Sequence, residues 1–315
     1  VYITDDDKTL LPTYLRFVRG IIDSEDLPLN VSREILQENR VMTAIRNGSV
    51  KKLLSEFKKI SEGNPELYEK FIKEYNRPLK EGLYSDYANR DALLELVRFK
   101  SSEKDGYVSL KEYKERMPEG QKSIYYITGG NETVLKSSPL IGAYKKKGYE
   151  VLILSDDIDE FVISTIPTYS DIPLKAINKA GAIDDIESAD DKAKVEAKKD
   201  VAEKIKKALD GKVKDVVVSA RLTDSPSAVV VDENDPSVQT QRILKSMGAK
   251  DLPEVLPILE INPDSPLVSK IESLDDDSAV KDYSMVLLDQ ALLQEGLMPS
   301  DPSGFAKTLT KLLSL

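Results

Sequence analysis

Arg33 and Gln37 are the side chains whose types and spacing best suit chemistry on an anion. Ser32 is a plausible N-cap, so we expect a helix to begin there. A positive charge at a helix N-terminus opposes the helix dipole, which makes Arg33 unusual. Gln37 follows one turn later on the same face. Together an Arg and a Gln could hold an anion such as phosphate; an ordinary surface arginine is the alternative.

The composition excludes most other catalytic chemistry. The 315 residues include no His, no Cys and no Trp. The chain alone therefore cannot build a Ser-His-Asp triad, a thiol nucleophile, a Cys/His zinc site or a disulfide. What remains is catalysis by carboxylates, Lys, Arg, Tyr, Ser or backbone groups, or a function other than catalysis.

The charge and hydropathy of the chain narrow the classes of partner that it could bind. The chain has 45 Lys and Arg against 55 Asp and Glu, a net charge of −10, which argues against nucleic-acid binding. Its residues are 40% hydrophobic and 32% charged, which indicates a folded chain of about two domains. Because no apolar run approaches the roughly 18 residues of a transmembrane helix, we expect a soluble protein with no membrane partner. Without Cys, nothing in the sequence requires an oxidising compartment, and we expect a cytoplasmic location.

Two weaker motifs can each be explained by an ordinary structural role. Gly129-Gly130 follows a predicted strand and could be called a phosphate loop, but it lacks both the P-loop Lys and the GxGxxG spacing. A plain turn is the favoured reading. The acidic cluster 156–160 could bind a metal, although acidic residues also suit a helix N-terminus. We therefore predict no metal site.

The elements needed to position these residues fall into three sections. The first is rich in helices, and Asn47-Gly48 is expected to separate two of them. A strand at 123–128, a helix after Pro139 and a buried strand at 151–154 form a βαβ unit, so these strands should be parallel. After a charged stretch at 179–210, strands are expected at 213–218, 228–231 and 255–261, and the proline in the last indicates either a sheet edge or an irregular stretch.

Two apolar helices are predicted to close the chain, from 277 to 294 and from 302 to 313. The first carries apolar residues around more than one stripe, and the second repeats them at i, i+4, i+7 and i+8. A homodimer interface and an intrachain core both explain such a pattern. The residues predicted to form the dimer are Leu287, Leu288, Ala291, Leu292, Phe305, Leu309, Leu312 and Leu313.

Six segments spread across nearly the whole chain match one known family in the order of that family: 14–20, 26–37, 120–127, 221–226, 259–263 and 287–293. At these segments, and closely at the one with Arg33, the sequence resembles the heat-shock protein 90 family of chaperones. The resemblance is strongest to the bacterial branch of the family.

This resemblance implies a fragment of a larger ATP-dependent chaperone of the stress response. It implies an α/β middle domain over 1–178, a charged linker over 179–192 and an α+β C-terminal domain over 193–315 that ends in a helical dimerisation bundle. The N-terminal ATP-binding domain would be missing, so we expect no cofactor here, ATP and Mg in the full-length protein, and no ATPase activity from the fragment alone. Arg33 and Gln37 match the loop that contacts the ATP γ-phosphate.

The resemblance also implies residues that contact unfolded or partly folded client proteins. They are Glu160, Phe161, Ile243, Leu244 and Met247. An exposed apolar patch with a flexible Met suits loose recognition of many partners, while burial in a core is the alternative. Two other functions stay open: a self-contained α/β nucleotide-binding enzyme and a purely structural dimerisation module.

Overall fold

The computed structural model describes residues 10–23, 40–182, 186, 189–237, 240–241, 244, 248 and 255–314. The chain divides into two compact units. One comprises Val1–Phe99, Gly106–Glu115 and Phe161–Ile166, and the other comprises Lys100–Asp105, Arg116–Glu160 and Pro167–Leu315. The division into domains at 179–192 stays a prediction.

The fold is the predicted mixture of α/β and α+β structure. The helices are α1 (Arg40–Gly63), α2 (Pro65–Ser85), α3 (Arg90–Leu96), α4 (Leu110–Arg116), α5 (Glu132–Lys136), α6 (Ile141–Lys146), α7 (Asp159–Ile163), α8 (Ala189–Ala197), α9 (Lys199–Ala208), α10 (Pro266–Glu272), α11 (Asp277–Gln294) and α12 (Pro302–Leu313), with 3-10 turns at Thr13–Leu15 and Tyr87–Asn89. Within the described residues, none of the helices combines the length and apolar character needed to cross a membrane.

The first unit is helical, and local caps set its helix ends. The Asn64 side chain accepts the Leu67 N–H at 3.1 Å at the start of α2. Ser109 and Glu112 form a reciprocal capping box at α4, in which the Ser109 N–H donates to Glu112 Oε2 at 2.7 Å and the Glu112 N–H donates to Ser109 Oγ at 3.1 Å. Both caps have signatures in the sequence, since Asn64 directly precedes Pro65 and Ser109 lies three residues before Glu112.

The predicted helix break at Asn47-Gly48 is wrong. α1 runs without interruption from Arg40 to Gly63. A glycine inside a helix costs only about 1 kcal/mol relative to alanine. Val50 and Leu54, just beyond Gly48, are both buried, and this tertiary packing outweighs the local cost.

A five-stranded sheet in the second unit contains the predicted βαβ structure. Its strands are β1 (Lys100–Ser101), β2 (Ile124–Thr128), β3 (Val151–Leu154), β4 (Thr168–Tyr169) and β5 (Ile172–Ala176), in the order β1-β3-β2-β5-β4. β2 and β3 are parallel, with Tyr125 opposite Val151, as predicted. β5 adds a second parallel neighbour to β2.

A three-stranded sheet follows, with strands β6 (Asp215–Val218), β7 (Ser227–Val230) and β8 (Ile258–Ile261) in the order β6-β8-β7. β8 therefore lies in the centre, so the expectation of an edge strand is wrong, whereas the alternative of an irregular stretch is confirmed, because 255–257 lie outside the strand. The reason is that Pro257 lies just before the strand, where its missing N–H interrupts no ladder bond.

Candidate functional site

The anion-binding pair predicted from the sequence lies outside the described residues, because both Arg33 and Gln37 fall between 24 and 39. The same holds for two predicted client contacts, Ile243 and Met247. Their roles stay predictions.

The Gly129-Gly130 turn is explained by packing. The Gly129 N–H donates to the Leu154 carbonyl at 3.1 Å, so it is already used within the fold. A Cβ added at Gly129 would meet Leu135 at 2.8 Å, which accounts for the absence of a side chain. This turn has a structural reason for its glycine and offers no phosphate cradle at that N–H.

The acidic cluster at 156–160 contributes to a helix start. Asp159 Oδ2 accepts the Asp156 N–H at 3.0 Å, and Asp159 is buried. Among the described residues, no group of three or more carboxylates is arranged to hold a metal ion.

The carboxylate of Glu160 lies in a polar cluster with residues far away in the sequence. Glu160 Oε1 accepts the Ser237 N–H at 2.7 Å, and Oε2 accepts the Ser237 hydroxyl at 2.5 Å. Oε2 also accepts the Thr240 hydroxyl. Lys179 Nζ lies 3.7 Å from Oε1. Both carboxylate oxygens are therefore engaged within the chain.

Burial strengthens this cluster. Only 17% of the Glu160 side chain and 14% of the Lys179 side chain are exposed. Burial, together with the nearby Glu160 charge, raises the pKa of Tyr126 to about 12. Hydrogen bonds in such a low-dielectric setting are stronger than at the surface, and an unpaired group there is costly.

Two other predicted client contacts have exposed apolar surface. Phe161 is 40% exposed, and Leu244, which is helical, is partly exposed. Neither side chain is a buried core residue, so burial in a core does not explain why Phe161 and Leu244 are apolar.

The residues predicted to form the dimer divide between two environments. On α11, Leu287, Leu288 and Ala291 are buried, while Leu292 is partly exposed. Leu287 belongs to a core with residues of α9, α10 and the three-stranded sheet. These three buried positions therefore have an intrachain partner.

On α12 no residue is buried, although every residue of this helix is described. Phe305, Leu309 and Leu312 are partly exposed, and Leu313 is 80% exposed. The Asp301 side chain caps the helix through the Gly304 N–H at 2.9 Å, and Lys311 Nζ contacts Asp282 of α11 at 2.6 Å. The helix is thus held at its ends while its apolar residues stay accessible.

The carboxyl of Glu295 lies directly after α11, in contact with a different segment. The Ser138 hydroxyl donates to Glu295 Oε1 at 3.3 Å. Burial raises the pKa of Glu295 from its ordinary 4.5 to about 7, against the smaller opposing effects of Ser138 and Arg221.

Two of the family-like segments meet in a buried ion pair. Arg221 Nη2 lies 2.5 Å from Glu260 Oε1, and both side chains are almost fully buried. Arg221 Nη1 also donates to the Ile177 carbonyl at 2.5 Å. The pair joins the loop after β6 to β8. A structural role therefore explains Arg221 and Glu260 in these two segments.

Lys179, Ser237 and Thr240 were not predicted from the sequence as members of the Glu160 cluster. Ser237 and Thr240 have the spacing of an N-cap and the third residue of a helix, which is a detectable signal for a helix start. Nothing local points to Glu160, which lies 77 residues before Ser237.

Comparison with known proteins completes these observations. The Hsp90 protein family model matches residues 1–315. Chaperone protein HtpG of Treponema denticola is 52% identical over 322 residues, covering 100% of this chain and 50% of the relative. The proteins of the same name from Borrelia garinii subsp. bavariensis and Wolinella succinogenes are 48% and 50% identical, each covering 99% of this chain. The chain spans about half the length of these curated relatives, and it belongs to the Hsp90 family.

Proposed function

We propose that this chain is the client-contacting and dimer-forming part of an ATP-dependent chaperone that assists the folding and maturation of client proteins. The observation that carries the proposal is the match of residues 1–315 to the Hsp90 family, together with about 50% identity to chaperones along the whole chain. The details of assembly, client contact and ATP coupling are supported by separate features.

The exposed face of α12 supports dimerisation. An amphipathic helix of 12 residues with no buried position leaves apolar surface in water, which a soluble monomer rarely tolerates as a patch. A second copy of the same helix is a self-complementary partner, because a twofold axis brings identical surfaces together. The helices α11 and α12 would then form the predicted bundle, with α11 as the support and α12 as the contact.

Exposed apolar side chains support client binding. Phe161 offers a ring with 40% of its surface exposed, and Leu244 offers a partly exposed aliphatic side chain. Unfolded proteins expose apolar side chains without a fixed shape, so separate apolar contacts suit them better than one deep pocket.

ATP coupling is proposed from the resemblance at Arg33 and Gln37. In the whole protein, ATP and Mg would bind to a part outside this chain. A fixed guanidinium would stabilise negative charge on the transferred phosphoryl group. The chain alone is expected to hydrolyse no ATP.

The proposal is tested by the aggregation of a heat-denatured client, followed by light scattering. The full-length protein should suppress aggregation, and Phe161→Ser should weaken the suppression. Tyr84→Ser is the matched control, since it removes another exposed aromatic ring. A purely structural dimer would suppress nothing. Tight, Mg-dependent binding of ATP to this chain alone would instead favour the enzyme alternative.

The role of Arg33 is tested in the full-length protein. Arg33→Ala should slow ATP hydrolysis by at least about tenfold, because the developing phosphoryl charge loses its cation. The control is Arg40→Ala, which removes an exposed arginine at the start of α1 and should leave turnover unchanged. Equal turnover in wild type and Arg33→Ala would remove Arg33 from the mechanism.

A further inference from the structure

Glu160 caps a helix that lies far away in the sequence. The Gln241 N–H donates to the Ser237 carbonyl at 3.0 Å, which is the first hydrogen bond of a helix beginning at Ser237. The Thr240 N–H donates to Ser237 Oγ at 3.1 Å, as expected for a serine N-cap. Ser237 is therefore the N-cap of the helical residues Thr240 and Gln241.

This N-cap lacks the usual local partner. In a capping box, a Glu or Gln three residues after the serine accepts the serine N–H. That position is Thr240, whose hydroxyl points to Glu160. The carboxylate of Glu160 accepts the Ser237 N–H in its place.

The α4 capping box of the same protein provides a direct comparison. There the Ser109 N–H donates to Glu112 at 2.7 Å. The Ser237 N–H donates to Glu160 at the same distance of 2.7 Å. In α4 the carboxylate lies in the same helix, whereas Glu160 belongs to α7. The chemistry is equal, but only the second arrangement joins two separate segments.

Lys179 adds a third segment to this cluster. Its ammonium group lies 3.7 Å from Glu160 and donates to the carbonyl of Asp235, two residues before the N-cap. Loss of the Glu160 carboxylate would leave the Ser237 N–H and the Lys179 charge without this acceptor in a mostly buried setting.

We propose that Glu160 is a positioning residue, which supplies the missing half of the Ser237 capping box and thereby holds the helical residues that follow, among them Leu244, in place for client binding. This assignment differs from a direct client contact, because both oxygens of the carboxylate are used within the chain. It rests on the proposed chaperone function for the client step, while the capping step stands without it.

The capping step is tested by amide hydrogen exchange of the full-length protein without client. Glu160→Ala should accelerate exchange at Ser237, Thr240 and Gln241 by at least about tenfold, since the helix start loses its anchor. Glu112→Ala is the matched control, and it should accelerate exchange only at α4. Unchanged protection of Ser237 in Glu160→Ala would overturn the proposal. If Glu160→Ala does not fold, Glu160→Gln, which keeps one acceptor oxygen, should show a smaller acceleration at the same amides.

The client step is tested by a double-mutant cycle with reduced, carboxymethylated α-lactalbumin as the unfolded client. If Glu160 acts through the Ser237 cap, Glu160→Ala should weaken binding by a smaller factor in the Ser237→Ala background than in wild type, because the two side chains serve one cap. If Glu160 touched the client directly, the factors of Glu160→Ala and Ser237→Ala would multiply in the double variant, and the proposal would be wrong. Glu112→Ala should bind like wild type.

The exchange and binding measurements also distinguish a failure of the capping role from a failure of the proposed chaperone function. A wild-type protein that binds no unfolded client would contradict the chaperone function. The exchange measurement would then decide the capping role of Glu160 by itself.

Discussion

The two closing helices, α11 and α12, are both apolar in sequence and opposite in burial. α11 places Leu287 and Ala291 at zero exposure in a core. α12 has no buried residue, and its Leu313 is 80% exposed. The helices are neighbours, and Lys311 of α12 contacts Asp282 of α11.

The difference assigns the two explanations of the apolar pattern to different helices. The intrachain core explains the buried residues of α11. The dimer interface stays as the proposal for the exposed residues of α12. An apolar pattern that is too wide for one stripe thus indicates a helix covered on several sides by its own chain, whereas a regular stripe without a partner indicates a surface for another molecule.

The largest expected effect comes from truncating a buried leucine of α11. Leu287→Ala should lower the free energy of unfolding by about 4 kcal/mol, because it removes core contacts and leaves a cavity. Leu313→Ala should change it by less than about 0.5 kcal/mol, as expected for an exposed position. Urea denaturation followed by circular dichroism measures both. Equal losses for the two variants would contradict the division between the helices.

Glu295, directly after α11, makes the stability of the buried region depend on pH. The pKa of Glu295 is raised to about 7 from 4.5, so between these values the folded state binds more protons than the unfolded state. Its contribution to stability therefore falls as the pH rises through this window. Glu295→Gln should be more stable than wild type by up to about 3 kcal/mol above pH 7, and show no gain below pH 4.5.

Thermal or urea unfolding across pH 4 to 8 checks this prediction. Glu233→Gln is the control, because it makes the same substitution at an exposed glutamate and should change the free energy of unfolding by less than about 0.5 kcal/mol. A constant difference between Glu295→Gln and wild type over the whole range would show that Glu295 does not titrate with folding.

Removing the N-caps of α11 and α12 should have the smallest effects on stability, and the two effects should differ in kind. Asp276 accepts the Ala279 N–H at 3.1 Å at the start of α11, and Asp301 caps α12 in the same way. Asp276→Ala should lower the free energy of global unfolding by about 1 kcal/mol. Asp301→Ala should mainly accelerate amide exchange within α12, because the core does not depend on that helix. A large global loss from Asp301→Ala would show that α12 is part of the core.

Local signals in the sequence predicted much of the fold. The bounds of α11 and α12, the Asn64 and Ser109 caps and the parallel pairing of β2 with β3 follow from caps, periodicity and the handedness of βαβ units. These features depend on residues within a few positions, or within one supersecondary unit, of each other.

Features that depend on distant partners could not be predicted. The continuity of α1 through Gly48 depends on the burial of Val50 and Leu54. The partner of Ser237 is Glu160, which periodicity and spacing do not connect to it. The burial of Leu287 depends on the strands and helices that cover it. In each case tertiary packing outweighs or adds to what the local sequence indicates.

The exposed face of α12 is the central element of this account, and sedimentation equilibrium of the chain tests it most directly. We predict that the wild-type chain is a dimer and that the Leu309→Asp, Leu313→Asp double variant is a monomer with unchanged helix content, because a charge on this face opposes a self-complementary apolar contact. A double variant that remains a dimer, or a wild-type chain that is a monomer, would contradict it.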